Sequence, residues 1–142
     1  MVPHVHIQTA PLDVGVLREA AGNPESGAVV VFEGCARNHH DGKFVAELSY
    51  EAYEPMALAQ LEAIRKEAID KFSLHSCLIH HRLGTVPLTE AAVAIVCASS
   101  HRSESLLAAA WLLDELKERV PIWKREHYQD HQVVWVEGND RC

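Results

Sequence analysis

The apolar residues of this chain change period several times, and the order of those changes is what limits the fold. Runs rich in β-branched residues stand at 27–37 (GAVVVFEGCAR), 45–53 (VAELSYEAY), 74–84 (LHSCLIHHRLG) and 91–100 (AAVAIVCASS), and each reads as a strand. Residues 2–8 alternate weakly, as an edge strand does, and 27–37 has the look of a buried one. Between them lie three helical patterns. LDVGVLREAAG (12–22) is short, with Asp13 near its start and Gly22 as a stop. Pro55 suits a helix first turn, after which Leu58, Leu61, Ile64, Ala68 and Phe72 recur at gaps of three and four. A last helix is predicted from Arg102 to Arg119, with Leu106, Ala110, Leu113 and Lys117 on one stripe and Pro121 ending it. NHHDGKF reads as a polar loop and GTVPLTE as a turn, while PIWKREHY and QVVWVEG form a closing strand pair. No regular β-α-β-α rhythm emerges, so the expected class is α+β rather than a doubly wound sheet.

A chain of 142 residues fits one domain, 1–142, large enough for a core without staples. Its net charge of −7 argues against nucleic acid as a partner, because a duplex binder needs a broad cationic face. The four cysteines, Cys35, Cys77, Cys97 and Cys142, are scattered and include no CxxC pair. Cys77 and Cys97 lie in apolar runs where cysteine behaves as a small hydrophobe, which suits a reducing compartment. The first residues show no basic segment followed by an apolar one, and no run reaches the roughly 18 apolar residues of a membrane helix. A cytoplasmic protein is the expectation.

Against this acidic background, cations gather at element ends. SSHRSES (99–105) stands where a strand meets a helix, and the free N–H groups of a first helical turn favour anions. Ser99 or Ser100 would cap that helix, with His101 and Arg102 adding donors. Lys117 should emerge at the rim of the buried stripe, and Lys124 follows seven residues later beyond Pro121. Pro121 to Trp123 are expected to anchor that corner in the core and to hold Lys124 and Arg125 over a small anion. Arg37 closes the 27–37 strand, where a planar guanidinium makes a good clamp for carboxylate or phosphate. Each feature alone equally suits a solvated surface; their convergence points to an anion site.

Ten histidines raise the question of a metal. The pairs His39–His40 and His80–His81 and the singles His75, His101, His127 and His131 form neither HExxH nor a zinc-finger spacing. Adjacent strand residues also face opposite ways, so His80 and His81 cannot readily share an ion, and no metal is expected. No GxSxG elbow marks a serine nucleophile, and Cys35 has no activating base evident in the sequence.

Taken together, GAVVVFEGCARNHHDG, LSYEAYEPMA, IHHRLG, SSHRSES and LKERVPIWKRE resemble, in order and spacing, the MoaE family, the catalytic (large) subunit of molybdopterin synthase. The resemblance runs from about Gly27 to Val136. It implies an α/β hammerhead-like fold, with a mixed, mainly antiparallel sheet, two long helices and a C-terminal strand pair. It implies transfer of sulfur to cyclic pyranopterin monophosphate, forming the molybdopterin dithiolene, with no resident cofactor. The sulfur donor would be a thiocarboxylate on the C-terminal Gly-Gly of a small ubiquitin-like subunit, and the assembly a homodimer within a heterotetramer. Carried onto this chain, the essential lysines fall on Lys117 and Lys124, and substrate contacts on Cys35, Ala36, Arg37, His101, Arg102, Arg125 and Glu126. Cys35 stands where many members carry another residue and is given no catalytic role. Competing readings are a non-catalytic module for a phosphorylated metabolite or a partner's C-terminal tail, a histidine-based metal hydrolase, and an inactive assembly subunit.

Overall fold

The computed structural model describes residues 1–130 and 132–136; His131, Cys142 and the expected end of the last strand at 137–138 lie outside them. Two sheets share the chain. The first has the order β1 (Val5–Gln8), β5 (Ser76–Arg82), β7 (Ala91–Ser99), β2 (Ala28–Cys35). Its β1–β5 pair is parallel and the other pairs are antiparallel. The second is built on the long β4 (Lys43–Ala52), in the order β3 (His39–His40), β4, β8 (Ile122–Tyr128), β9 (Val133–Val136), with β6 (Gly84–Val86) also paired to β4. The mixed α+β class and the closing strand pair are therefore as expected.

Helices α2 (Glu54–Phe72) and α3 (Arg102–Arg119) cover one face of the first sheet, and α1 (Val14–Ala20) packs on the other. Asp13 caps α1, accepting from Val16 N–H at 3.2 Å. The main core joins Ala57, Leu61, Ile64 and Ala68 of α2 with Ala108, Ala109, Leu112 and Leu116 of α3, over Cys77, Ile79, Ile95 and Cys97. Small residues dominate the α3 face because it lies against both a helix and a sheet, and alanine permits close approach. The expected α3 stripe is consequently out of phase: Leu106 is 54% exposed, while Ser105, Ala108 and Leu112 are buried. On α2, Ala57 takes the buried place expected for Leu58.

Four further expectations are corrected. Among the described residues β2 is an edge strand, bonded only to β7, and none of its residues is fully buried; Val31 is 39% exposed. NHHDGKF is a hairpin turning at Asp41 (φ 50°) and Gly42 (φ 76°), the left-handed pair that a two-residue turn needs. GTVPLTE contains β6, whose pairing with β4 ties the second sheet to the first. Trp123 does not anchor the corner: it is 49% exposed, and half-buried Ile122 packs on the core in its place.

Candidate functional site

At one end of the first sheet β7 turns into α3. Gly27 presses on this turn, donating to Ser99 O at 3.0 Å, and a Cβ there would stand 2.5 Å from Ser100 O. The expected serine cap does not form. Ser99 Oγ is drawn inward, donating to His101 O (2.6 Å) and bonding Ser105 Oγ (2.5 Å), and Ser100 Oγ bonds His75 Nε2 at 3.3 Å. His101 is the N-cap residue and makes no side-chain cap bond, so the first-turn N–H groups stay open. They border a shallow cleft of about 550 Å³ lined by Gly27, Ser100, His101, Arg102 and Ser103. His101 and Arg102 are exposed, and His101 Nδ1 meets Glu104 Oε1 at 3.2 Å. Donors, helix dipole and guanidinium together favour an anion.

The other cations lie at the opposite end. β2 pairs antiparallel with β7, Ala28 against Ser99 and Cys35 against Ala91, so Cys35–Arg37 sit far from the α3 start. α3 packs back across β7 and β2, bringing half-buried Lys117 toward the Cys35 end, where Tyr53 N–H donates to Pro121 O at 3.2 Å. The Ala36 backbone is committed, donating to Glu90 O (3.0 Å) and accepting from Thr89 N–H (2.7 Å), which leaves exposed Arg37 projecting beyond the strand. Cys35 is exposed, and partial burial with the nearby Glu33 carboxylate raises its thiol pKa, which disfavours a reactive thiolate.

Register decides which way β8 side chains face. Lys124 opposes Tyr50 and Glu126 opposes Leu48, so both share the inner face with Ala36, Val86 and Tyr128. Arg125 points the other way. It opposes Ser49 and Trp135, meets Glu51 Oε1 at 3.3 Å and lies 4.2 Å from the Trp135 ring centroid. Lys124 and Arg125 thus do not share one substrate face, as the sequence reading had them do. The structure brings Arg37, Ala36, Lys117, Lys124 and Glu126 to one end of the molecule. His101 and Arg102 are separated from Lys117 by most of α3, about 22 Å at 1.5 Å per residue.

Behind Lys124 the site is floored by buried polar groups. His81 is wholly enclosed, its ring 5.1 Å from Tyr50, and Nδ1 donates to Arg82 O at 2.8 Å. Burial pushes its pKa down to about 4, so it is neutral at physiological pH. Arg82, also buried, holds Glu90 Oε1 (2.8 Å) and Thr9 O (3.1 Å). Among the described residues no three His, Cys, Asp or Glu side chains cluster as metal ligands, and no helix is long and apolar enough to cross a membrane.

Comparison with known proteins identifies the family. The sequence model of the MoaE protein family matches residues 7–119. The chain belongs to the MoaE family. The molybdopterin synthase catalytic subunit of Culex quinquefasciatus is 47% identical over 132 residues, 91% of this chain and 84% of that protein. The crystal structure of molybdopterin synthase from Staphylococcus aureus superposes with a TM-score of 0.90 at 34% identity, covering 96% of this chain and 98% of that one. A complex of subunits 1 and 2 of molybdopterin-converting factor from Helicobacter pylori shares the fold, with a TM-score of 0.78 at 22% identity over 98% of this chain and 94% of that chain. Membership places this chain among the enzymes of molybdenum cofactor synthesis.

For a MoaE-family chain the sequence yielded the cations but not the floor beneath them. Tyr50, His81, Arg82, Glu90 and Tyr128 come from four separate segments, and the pairing of β4 with β8, of β4 with β6 and of β5 with β7 assembles them. One signal was available: HHR inside an otherwise apolar run is a costly thing to bury without partners.

Proposed function

We propose that this chain transfers sulfur from the thiocarboxylated C-terminus of a small ubiquitin-like subunit to cyclic pyranopterin monophosphate, forming the molybdopterin dithiolene. The observation that carries the reading is the convergence of Lys117, Lys124 and Arg37 at one end of an acidic molecule, over a floor of buried, paired polar groups. The substrate phosphate, the incoming thiocarboxylate and the carboxylate left behind are all anionic. Fixed cations in a partly desolvated cleft stabilise such charge far better than water does. In this scheme Lys117 stands nearest the thiocarboxylate and assists sulfur delivery, while Lys124 stabilises charge or moves a proton on the pterin side. Cys35 and Ala36 line the strand end, and Glu126 sits beside Lys124.

His101 and Arg102 join the scheme through a second copy. With about 22 Å of α3 between them and Lys117, one protomer cannot close both around a small pterin. A homodimer that sets the α3 start of one protomer beside the Lys117 end of the other would complete the site. Exposed Leu106 and Leu107, one turn beyond Arg102, suit burial in such an interface. The Helicobacter pylori chain that shares this fold stands in a complex with a second subunit, which supports docking of a partner here as well.

The test is reconstitution from purified protein, thiocarboxylated small subunit and cyclic pyranopterin monophosphate, scored for dithiolene product. Product that vanishes with Lys117→Ala and Lys124→Ala, both folded, is expected. Folded, partner-bound protein that makes none would leave a binding subunit.

A further inference from the structure

Glu126 is 3% exposed and stands opposite Leu48, where a buried carboxylate is costly unless its oxygens find partners. One is hydrogen-bonded and the other faces an imidazole: Tyr128 OH donates to Oε1 at 3.0 Å, and His40 Nδ1 lies 4.0 Å from Oε2, close enough for an ion pair when the ring carries a proton. His40 is itself nearly enclosed and turns Nε2 to Asp41 Oδ2 at 3.1 Å. The phenol is buried, and burial first, then its bond to Glu126, pushes its pKa up to about 12, so it remains a donor. Lys43 Nζ stands 5.4 Å from the phenol ring centroid and 3.7 Å from Asp130 Oδ2.

This cluster bridges two segments that carry candidate site residues. His40 lies three residues after Arg37, and Glu126 and Tyr128 lie two and four after Lys124 on the same face of β8. The hairpin does not need it to form, because Asp41–Gly42 already supplies the turn. Nor does the core, since apolar residues of similar volume commonly replace buried polar pairs at little or no cost in stability. What an apolar contact lacks is direction: a carboxylate set between a phenol donor and an imidazole restrains the distance between two backbone segments.

We infer that His40 and Tyr128 are positioning residues, clamping Glu126 so that the Arg37–His40 segment is pinned to β8 and Arg37 is held in fixed relation to Lys124. The inference rests on the sulfur-transfer reading for its effect on turnover, while the clamp has a signature independent of activity. Val45 N–H donates to Asn38 O at 2.7 Å, so its hydrogen exchange reports whether the 38–40 arm stays closed on β4, through which it reaches β8.

The experiment compares wild type, His40→Ala, His40→Gln and Tyr128→Phe as full-length protein. Expected are faster Val45 exchange in His40→Ala and Tyr128→Phe, and a KM for the pterin phosphate raised about tenfold with kcat within about twofold, the pattern of lost binding geometry. His40→Gln, which keeps a donor, should recover most of the loss. Unchanged Val45 protection would overturn the clamp. So would a KM that holds while kcat falls in step with the folded fraction. Should wild type itself form no dithiolene, the sulfur-transfer reading fails on its own, and Val45 exchange still decides the clamp.

Discussion

Replacing His81 by phenylalanine should flatten the acid dependence of stability. The imidazole is buried beside Tyr50, and its pKa is held near 4 against an ordinary value of 6.5. Between those values the unfolded chain carries a proton at His81 that the folded chain does not. Stability is therefore complete above about pH 6.5 and falls as pH drops toward 4. From pH 7.5 to 5 the difference amounts to about 2 kcal/mol from this one group. His80, whose pKa is also lowered by burial, acts in the same direction and is present in both proteins. Phenylalanine leaves the Arg82 carbonyl without its donor, an offset of about 1–3 kcal/mol that is the same at every pH and drops out of the comparison. Urea unfolding at fixed protomer concentration, at both pH values, gives the two differences. The wild type should lose about 2 kcal/mol more on acidification than His81→Phe does. Equal losses would mean that His81 is not the buried neutral group described, and that the floor under Tyr50 and Lys124 is wrongly drawn.

Three other substitutions test how the rest of the fold is held. Gly27→Ala puts a Cβ 2.5 Å from Ser100 O, so the turn into α3 must shift; thermal unfolding should show a loss of about 1–3 kcal/mol, and the cleft beside His101 should bind phosphate more weakly. Leu112→Ala, within the sealed stripe of α3, should cost about 2–5 kcal/mol by urea unfolding, whereas exposed Leu106→Ala should stay within about 0.5 kcal/mol for the separated protomer.

Local signals read well at the helix ends marked by proline. α3 begins at Arg102 and ends at Arg119, as the strand-to-helix junction and Pro121 required. Pro55 likewise stands in the first turn of α2. What failed was mostly set by a neighbour, the local Asp41–Gly42 turn being the exception. The apolar stripe of α3 was read through Leu106 because leucine outweighs alanine in any hydropathy pattern, yet close packing against α2 and the sheet selects Ser105, Ala108 and Ala109 for burial. β2 carries the composition of a central strand but has a neighbour on one side only, a property of topology rather than of residues 27–37. At the candidate site the cation-bearing segments were legible, while two simple periods were overlooked. Strand alternation separates Lys124 from Arg125, and helix rise separates Arg102 from Lys117. Glu126 was named from resemblance alone; its partners Tyr128 and His40 could emerge only once β3, β4 and β8 were paired.

The central claim is that the two ends of α3 serve one site drawn from two copies of the chain. It is tested by pairing Lys124→Ala in one protomer with Arg102→Ala in the other, isolating the mixed dimer through two tags, and measuring dithiolene formation. Each parent homodimer has both composite sites damaged, whereas the mixed dimer retains one intact site and should work at about half the wild-type rate. A mixed dimer no more active than its parents would contradict the account and confine the chemistry to a single protomer.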